Sequence, residues 1–194
     1  MEIDNNNIID TAGRIIYESG IYSLSVDNLA RKLNVGKDSL SSLFKNDDDI
    51  LFSLFLKLES DINQLIIRSK LQNDAPDAEL EYLFKELNKL FSRKPYYLTI
   101  IFSDELLEDN FSARDVLHRI KKSARDYLQE IIEKGKRRSI FKSRRKNRSL
   151  VNIILGGFRL QMNEQRLMNK MTKESMRIDD EKEDKVQGEN PTKQ

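Results

Sequence analysis

The chain has 194 residues and a formal net charge of +2, with 38% hydrophobic and 34% charged residues, no cysteine and one histidine, His118. The missing cysteines exclude disulfide scaffolds, zinc ribbons, iron–sulfur clusters and thiol catalysis, and the lone imidazole argues against a multi-histidine metal site. Seven glycines and three prolines are too few for a turn-rich sandwich or barrel, no apolar run has membrane-spanning length, and the acidic start Met1-Glu2-Ile3-Asp4 is unlike a secretory signal. An all-α, cytoplasmic protein with no metal or other cofactor is the expectation.

Ile8, Ile9, Ala12, Ile15 and Ile16 recur at helical spacing, which predicts an amphipathic helix over 5–19 that Gly20 stops. Tyr22, Leu24 and Val26 alternate as a strand would, but the run is too short and nothing nearby could pair with it. Ser25, placed before Val26, Leu29, Ala30 and Leu33, predicts an N-cap and a two-turn helix. Asn34-Val35-Gly36 then breaks the pattern, and Leu40, Leu43 and Phe44 start a second short helix. A long helix follows Asn46, with Asp47, Asp48 and Asp49 in its first turn, where the helix dipole favours negative charge. Its apolar face runs from Ile50 through Leu54, Phe55, Leu58, Ile62 and Leu65 to about residue 70. Residues 72–77, with Pro76, read as a linker, and Leu80, Leu83, Phe84, Leu87, Leu90 and Phe91 mark the next helix. Pro95 suits the first turn of another, reaching about Glu108, and two more helices are predicted over 111–134 and about 148–171.

The charge is unevenly spread. Residues 1–50 hold five bases against nine acids, a balance of −4, whereas 134–148 hold nine bases and no acid. Residues 173–194 carry five bases and seven acids but few sizeable apolar side chains, too little to offset the entropy of ordering, so a disordered polar tail is expected there.

Two short helices joined by a three-residue turn, with a buttressing helix before them, describe a helix-turn-helix, whose second helix can enter the major groove. The residues sharpen this reading. Ile9-Ile-Asp-Thr-Ala-Gly-Arg-Ile-Ile-Tyr-Glu-Ser-Gly20, Ser25-Val-Asp-Asn-Leu-Ala-Arg-Lys-Leu33, Val35-Gly-Lys-Asp-Ser-Leu40 and Phe44 resemble the tetracycline-repressor (TetR) family of bacterial transcription regulators. Ile131-Ile-Glu-Lys-Gly135 and Phe141 look like that family's seventh-helix ending. The resemblance implies an all-α homodimer, with an operator-binding domain over 1–46, a ligand-binding and dimerisation domain over 47–172, and the tail beyond. It makes Ser25 a phosphate contact at the start of helix two, and Lys37 and Ser39 phosphate and base-edge contacts opening the recognition helix, with Asp38 between them. In the bland reading, these same residues cap short helices.

The sequence departs from the family in consequential places. Ser41 stands where the family usually has Tyr, Leu43 where it has His or a similar polar residue, and Asp47 where it has Lys. Two phosphate clamps are thereby lost, which predicts weaker or rearranged operator binding, with Ser41, Ser42 and Lys45 as replacement contacts. The alternative is a helical ligand-binding or protein-interaction module that no longer binds DNA. Enzymatic readings have little support: Asp104/Glu105 and Glu108/Asp109 are paired acids, but no nucleophile or phosphate-cradling loop accompanies them.

In the family, helices four to seven enclose the pocket for a small ligand. The aromatic candidates here are Phe55, Phe84, Tyr96, Tyr97, Phe102 and Tyr127; the three tyrosine hydroxyls are the best placed to orient a ligand, since a buried hydroxyl needs a partner. In the eighth helix, Gly156 and Gly157 cost about 1 kcal/mol each relative to alanine. They suggest a close crossing, within the subunit or with a second copy, and homodimerisation through this helix is expected.

Overall fold

The computed structural model describes the backbone of residues 4–72, 74–102 and 110–187, and their side chains except at 170 and 172–187. Eight α-helices make up the described residues: α1 (Asn5–Ser19), α2 (Val26–Leu33), α3 (Lys37–Ser41), α4 (Asp47–Gln72), α5 (Pro76–Arg93), α6 (Tyr96–Ile101), α7 (Phe111–Arg137) and α8 (Asn147–Gln187). The architecture is all-α, and the strand-like stretch after Gly20 opens instead with a single 3₁₀ turn, Ile21–Ser23. Among the described residues, no helix is long and apolar enough to cross a membrane.

Most boundaries follow local chemistry. Gly20 ends α1 with φ 85°, a conformation that disfavours residues with a Cβ. Pro76 is not in a linker but opens α5, where its missing N–H leaves no hydrogen bond unmade. α8 runs on to Gln187 rather than ending near Met171, so the tail expected to be disordered is helical at least that far; 188–194 lie outside the described residues. No Gly or Pro falls between Gly157 and Gly188, and a stretch rich in Lys, Glu, Met and Arg loses little rotamer freedom on becoming helical. A shortage of apolar residues argues against burial, not against helix. The paired acids at 104–105 and 108–109, and any continuation of α6 through them, also lie outside the described residues.

The chain through Leu155 forms one compact unit, and the residues from Gly156 form another. In the first unit, α4 is the axis, packing against α1, α5 and α7. Leu54, Phe55 and Leu58 on it are wholly buried, each contributing about 1.5–3 kcal/mol by removal from water. The three amino-terminal helices gather around Ile8, Ala12, Leu29 and Leu40, all wholly buried. A second cluster joins Leu65, Leu83, Tyr127, Leu128, Ile131, Ile132 and Val151, with Phe141 against it. Gly135 admits that ring: a Cβ there would overlap Phe141, and the Ile140 amide donates to the Gly135 carbonyl at 2.9 Å.

α1 is bound to the larger helices as well as to its own two partners. Gly13 lies under the ring of Tyr96 at the start of α6, where an added Cβ would come within 2.6 Å of a ring carbon. The boundary expected at 46/47 lies inside the compact unit that runs through Leu155.

Candidate functional site

α2 and α3 are joined through Asn34, which takes the left-handed conformation (φ 55°, ψ 46°) that asparagine tolerates better than branched residues. The Asn34 and Val35 amides close the corner on the carbonyls of Arg31 and Ala30, at 3.2 and 3.1 Å. Ser25 caps α2 as its position predicts, its Oγ accepting from the Asn28 amide at 3.1 Å. A second cap comes from far along the chain: the Val26 amide donates to Asp47 Oδ1 at 2.8 Å. The aspartate found where the family has lysine thus has a structural task, holding the start of α4 to the start of α2.

The same corner collects the start of α3. Lys37 Nζ pairs with Asp27 Oδ1 at 2.8 Å, both exposed, and Asp27, first through the hydrogen bond and then through its charge, raises the lysine above its ordinary value. Asp38 and Ser39 follow in the exposed first turn of α3. Ser25, Lys37, Asp38 and Ser39 therefore gather where three helices begin. Ser41 and Ser42 lie at the other end of α3, where their hydroxyls donate to the carbonyls of Lys37 and Ser39 at 3.1 and 3.0 Å. Lys45 is exposed and has no ion pair among the described residues; its amide donates to Asp49 Oδ2 at 2.8 Å, while Asn46 Oδ1 accepts from the Asp49 amide at 2.9 Å. Leu43 is 56% exposed on this segment.

The six aromatic candidates do not form one site. Phe55 is in the core on α4, Tyr127 and the half-buried Phe84 belong to the cluster of α4, α5 and α7, and Phe102 is half-buried at the end of α6. Tyr96 and Tyr97 pack edge to face, 4.7 Å between ring centroids. All three phenols donate to carboxylates of the protein: Tyr96 to Asp10 at 2.7 Å, Tyr97 to Asp61 at 2.8 Å and Tyr127 to the buried Glu79 at 2.8 Å. Burial above all, with these carboxylates, raises each phenol above its ordinary value, so each remains a donor.

Beside Asp61 lies a cavity of about 270 Å³ between α4 and α5. Its lining is Asp61, Leu65 and Arg68 of α4, Tyr82, Glu86, Leu90 and Arg93 of α5, and Lys94; none of the six aromatics is included. Lys94 Nζ sits 3.1 Å from Asp10 Oδ1 on α1 and 3.2 Å from Asp61 Oδ2 on α4, and Lys57 Nζ is 3.1 Å from Asp61 Oδ1. Burial works to raise the Asp61 carboxyl, but the Tyr97 hydroxyl, Lys57 and Lys94 outweigh it and hold the group below its ordinary value.

Sequence reasoning missed Asp61, Lys94, Arg68 and Arg93. For Asp61 a signal existed: it shares the inward register of α4 with Leu54, Leu58 and Leu65, at i, i+4, i+7 and i+11, where a charge needs an explanation. The cations near helix ends carry no comparable mark, since such charges are ordinary there.

No protein-family model matches the chain. It is 29% identical over 130 residues to the fatty acid metabolism regulator protein of Bacillus subtilis (strain 168), a stretch covering 66% of each protein. It is 25% identical over 141 residues to the HTH-type transcriptional regulator YhgD of the same organism, 70% of this chain and 71% of that one. Among solved structures, the fatty acid degradation regulator FadR from Bacillus halodurans superposes with TM-score 0.70 at 20% identity, over 87% and 88% of the two chains. FadR from Bacillus subtilis, solved in complex with stearoyl-CoA, gives TM-score 0.66 at 23% identity, over 87% and 95%. A TetR/AcrR-family regulator from Thermobifida fusca gives 0.64 at 16%, over 81% and 83%. In fold the chain is similar to regulators of the TetR/AcrR type, and in sequence to the two Bacillus subtilis regulators.

Proposed function

We propose that the chain binds double-stranded operator DNA as a homodimer through α2 and α3, and that a small ligand in the α4–α7 unit releases it. The observation that carries the DNA part is the convergence of three helix starts with Lys37 and Ser39 exposed beside them. Helix starts favour phosphate through their unpaired amides and dipole, and the first residues of α3 are those that a helix-turn-helix offers to base edges. Ser25, Ser41, Ser42 and Lys45 are assigned to the flanking phosphates, with Asp38 between the α3 contacts. For the ligand, the first candidate class is a long-chain acyl thioester, by analogy with the neighbour bound to stearoyl-CoA and the relative named for fatty acid metabolism.

The homodimer rests on α8. Ile153, Leu160, Leu167, Met168 and Met171 are 45–63% exposed, and a Cβ at Gly156 or Gly157 would meet nothing within 4 Å. A second copy is the occupant that would cover such residues on both subunits by one symmetric contact.

Gel-shift of genomic fragments at low salt, about 50 mM, with and without palmitoyl-CoA, tests the reading. Retention that the thioester abolishes supports it, and retention of no fragment overturns it. The second reading, a module without DNA, would then take over. The −4 balance of residues 1–50 favours that reading, as do the ion pairs Lys37–Asp27 and Lys32–Glu18, which occupy two of the few cations of this region.

A further inference from the structure

We infer that the cavity between α4 and α5 receives the anionic head of an amphipathic molecule, and that Lys94 passes its occupancy to α1. The inference deepens the ligand-responsive reading above by naming the chemistry of the ligand and the residues that read it.

The lining has two parts. Leu65, Leu90 and the ring of Tyr82 supply apolar surface, and Arg68 and Arg93 supply positive charge. Among the described residues neither arginine forms an ion pair; each Nε donates to a carbonyl of its own helix, of Gln64 and Lys89 respectively, at 3.3 Å. The terminal nitrogens of both guanidiniums are left to present a planar fork, a geometry that suits carboxylate and phosphate oxygens. The two carboxylates in the lining take their hydrogen bonds chiefly from lysines, although Arg93 also attracts Glu86 through space. Asp61 is held by Lys57 and Lys94, and Glu86 is paired with Lys89 at 2.5 Å. A cavity of about 270 Å³ lies just below the size of sites that enclose a whole drug-sized ligand. It suits a head group and its first few methylenes, the rest of the molecule lying outside.

Lys94 makes this a sensing site. It lines the cavity and at the same time bridges Asp61 of α4 to Asp10 of α1, the helix that buttresses α2 and α3. An anion in the cavity competes with Asp10 for that ammonium. Because the Asp10 pair joins α1 to the residue that closes α5, a shift of Lys94 toward the ligand loosens the hold on α1. The empty and occupied states then differ in who holds Lys94, which is the differential interaction that any ligand-driven shift requires.

The test uses the full chain without DNA and three probes of one chain length: hexanoate, hexyl phosphate and the neutral hexanol, titrated by methyl NMR. Both anions are expected to bind more tightly than hexanol, and the tighter of the two identifies the head group as carboxylate or phosphate. Arg68→Gln and Arg93→Gln should each weaken the anions roughly tenfold and leave hexanol unchanged. Asp10→Asn keeps an acceptor for the Tyr96 hydroxyl but removes one of the two carboxylate charges that hold Lys94, so it should tighten the anions by about two- to fivefold. Anions that bind no better than hexanol, or equally well to the arginine variants, overturn the site; an unchanged affinity in Asp10→Asn overturns the link through Lys94. A chain that passes these measurements yet retains no DNA keeps the site and loses the operator reading. One that retains DNA and fails them loses only the site.

Discussion

Asp47 accepts the Val26 amide at 2.8 Å, so one carboxylate both caps α2 and sets the charge beside the proposed phosphates. Two substitutions separate these effects. Asp47→Asn keeps the acceptor and removes the charge; the thermal midpoint should hold while DNA affinity rises. Asp47→Lys removes the acceptor as well. It should cost about 0.5–2 kcal/mol for the lost cap and about 0.3–1 kcal/mol for a cation at a helix start, while steepening the salt dependence of binding by about one unit of slope. Thermal melts beside gel-shifts at two salt concentrations measure both quantities, and equal DNA retention by all three proteins would remove this face from the DNA reading. Asp61 gives a pH prediction. Its carboxyl is held below the ordinary value of 3.8, so its contribution is complete above that value and is lost as pH falls through the lower, folded-state value. Asp61→Asn should lose about 1–3 kcal/mol at neutral pH, as expected for breaking hydrogen bonds to a charged group. It should also melt with a flatter acid limb than the parent. An acid limb as steep as the parent's would show that Asp61 does not carry the effect.

At the scale of elements, the join between α1 and α6 is the most exacting contact. The Tyr96 ring lies over Gly13, and its hydroxyl is tied to Asp10, so the ring cannot swing aside without giving up that bond. Gly13→Ala should therefore cost about 1–3 kcal/mol by overpacking, lowering the melting temperature by about 2–4 °C per kcal/mol for a chain of this length. Gly36→Ala is the control: its Cβ would meet nothing within 4 Å, and the backbone there is extended. Equal melting of the two variants would mean that α6 yields to α1 easily. Neither the Gly13 contact nor the Asp47 cap was legible along the chain, since each joins residues dozens of positions apart or on separate helices.

For the whole molecule, the proposed dimer turns on α8. Leu160→Glu with Leu167→Glu places charge on two exposed apolar positions, and should convert a dimer to a monomer in sedimentation at micromolar concentration without altering the melting of the cluster around Leu65, Leu83 and Ile131. Gly156→Leu, a bulky side chain in the open space at that glycine, should weaken association in the same measurement. A parent protein that sediments as a monomer would overturn the dimer.

The sequence by itself determined the helices and their order. Apolar residues recurring every three or four positions, Ser25 before Val26, three acids opening α4 and Gly20 closing α1 are local signals, and they mark where a helix begins, where it ends and which face it buries. They carried the helix-turn-helix as well, because its two helices and corner are consecutive in the chain. Local chemistry misled where composition was taken for conformation, since Pro76 begins a helix and the polar stretch after Met171 continues one, and where Leu43 and Phe44 were read into a short helix that ends at Ser41. The tertiary structure decided which side chains meet. It used the phenols of Tyr96, Tyr97 and Tyr127 within the protein, opened the cavity beside Arg68 and Arg93 instead, and joined Asp10, Asp61 and Lys94 across three parts of the chain. The reason is physical: a buried charge or hydroxyl is stable only with a partner, and that partner is chosen by packing between helices, which the spacing of residues along one helix does not encode.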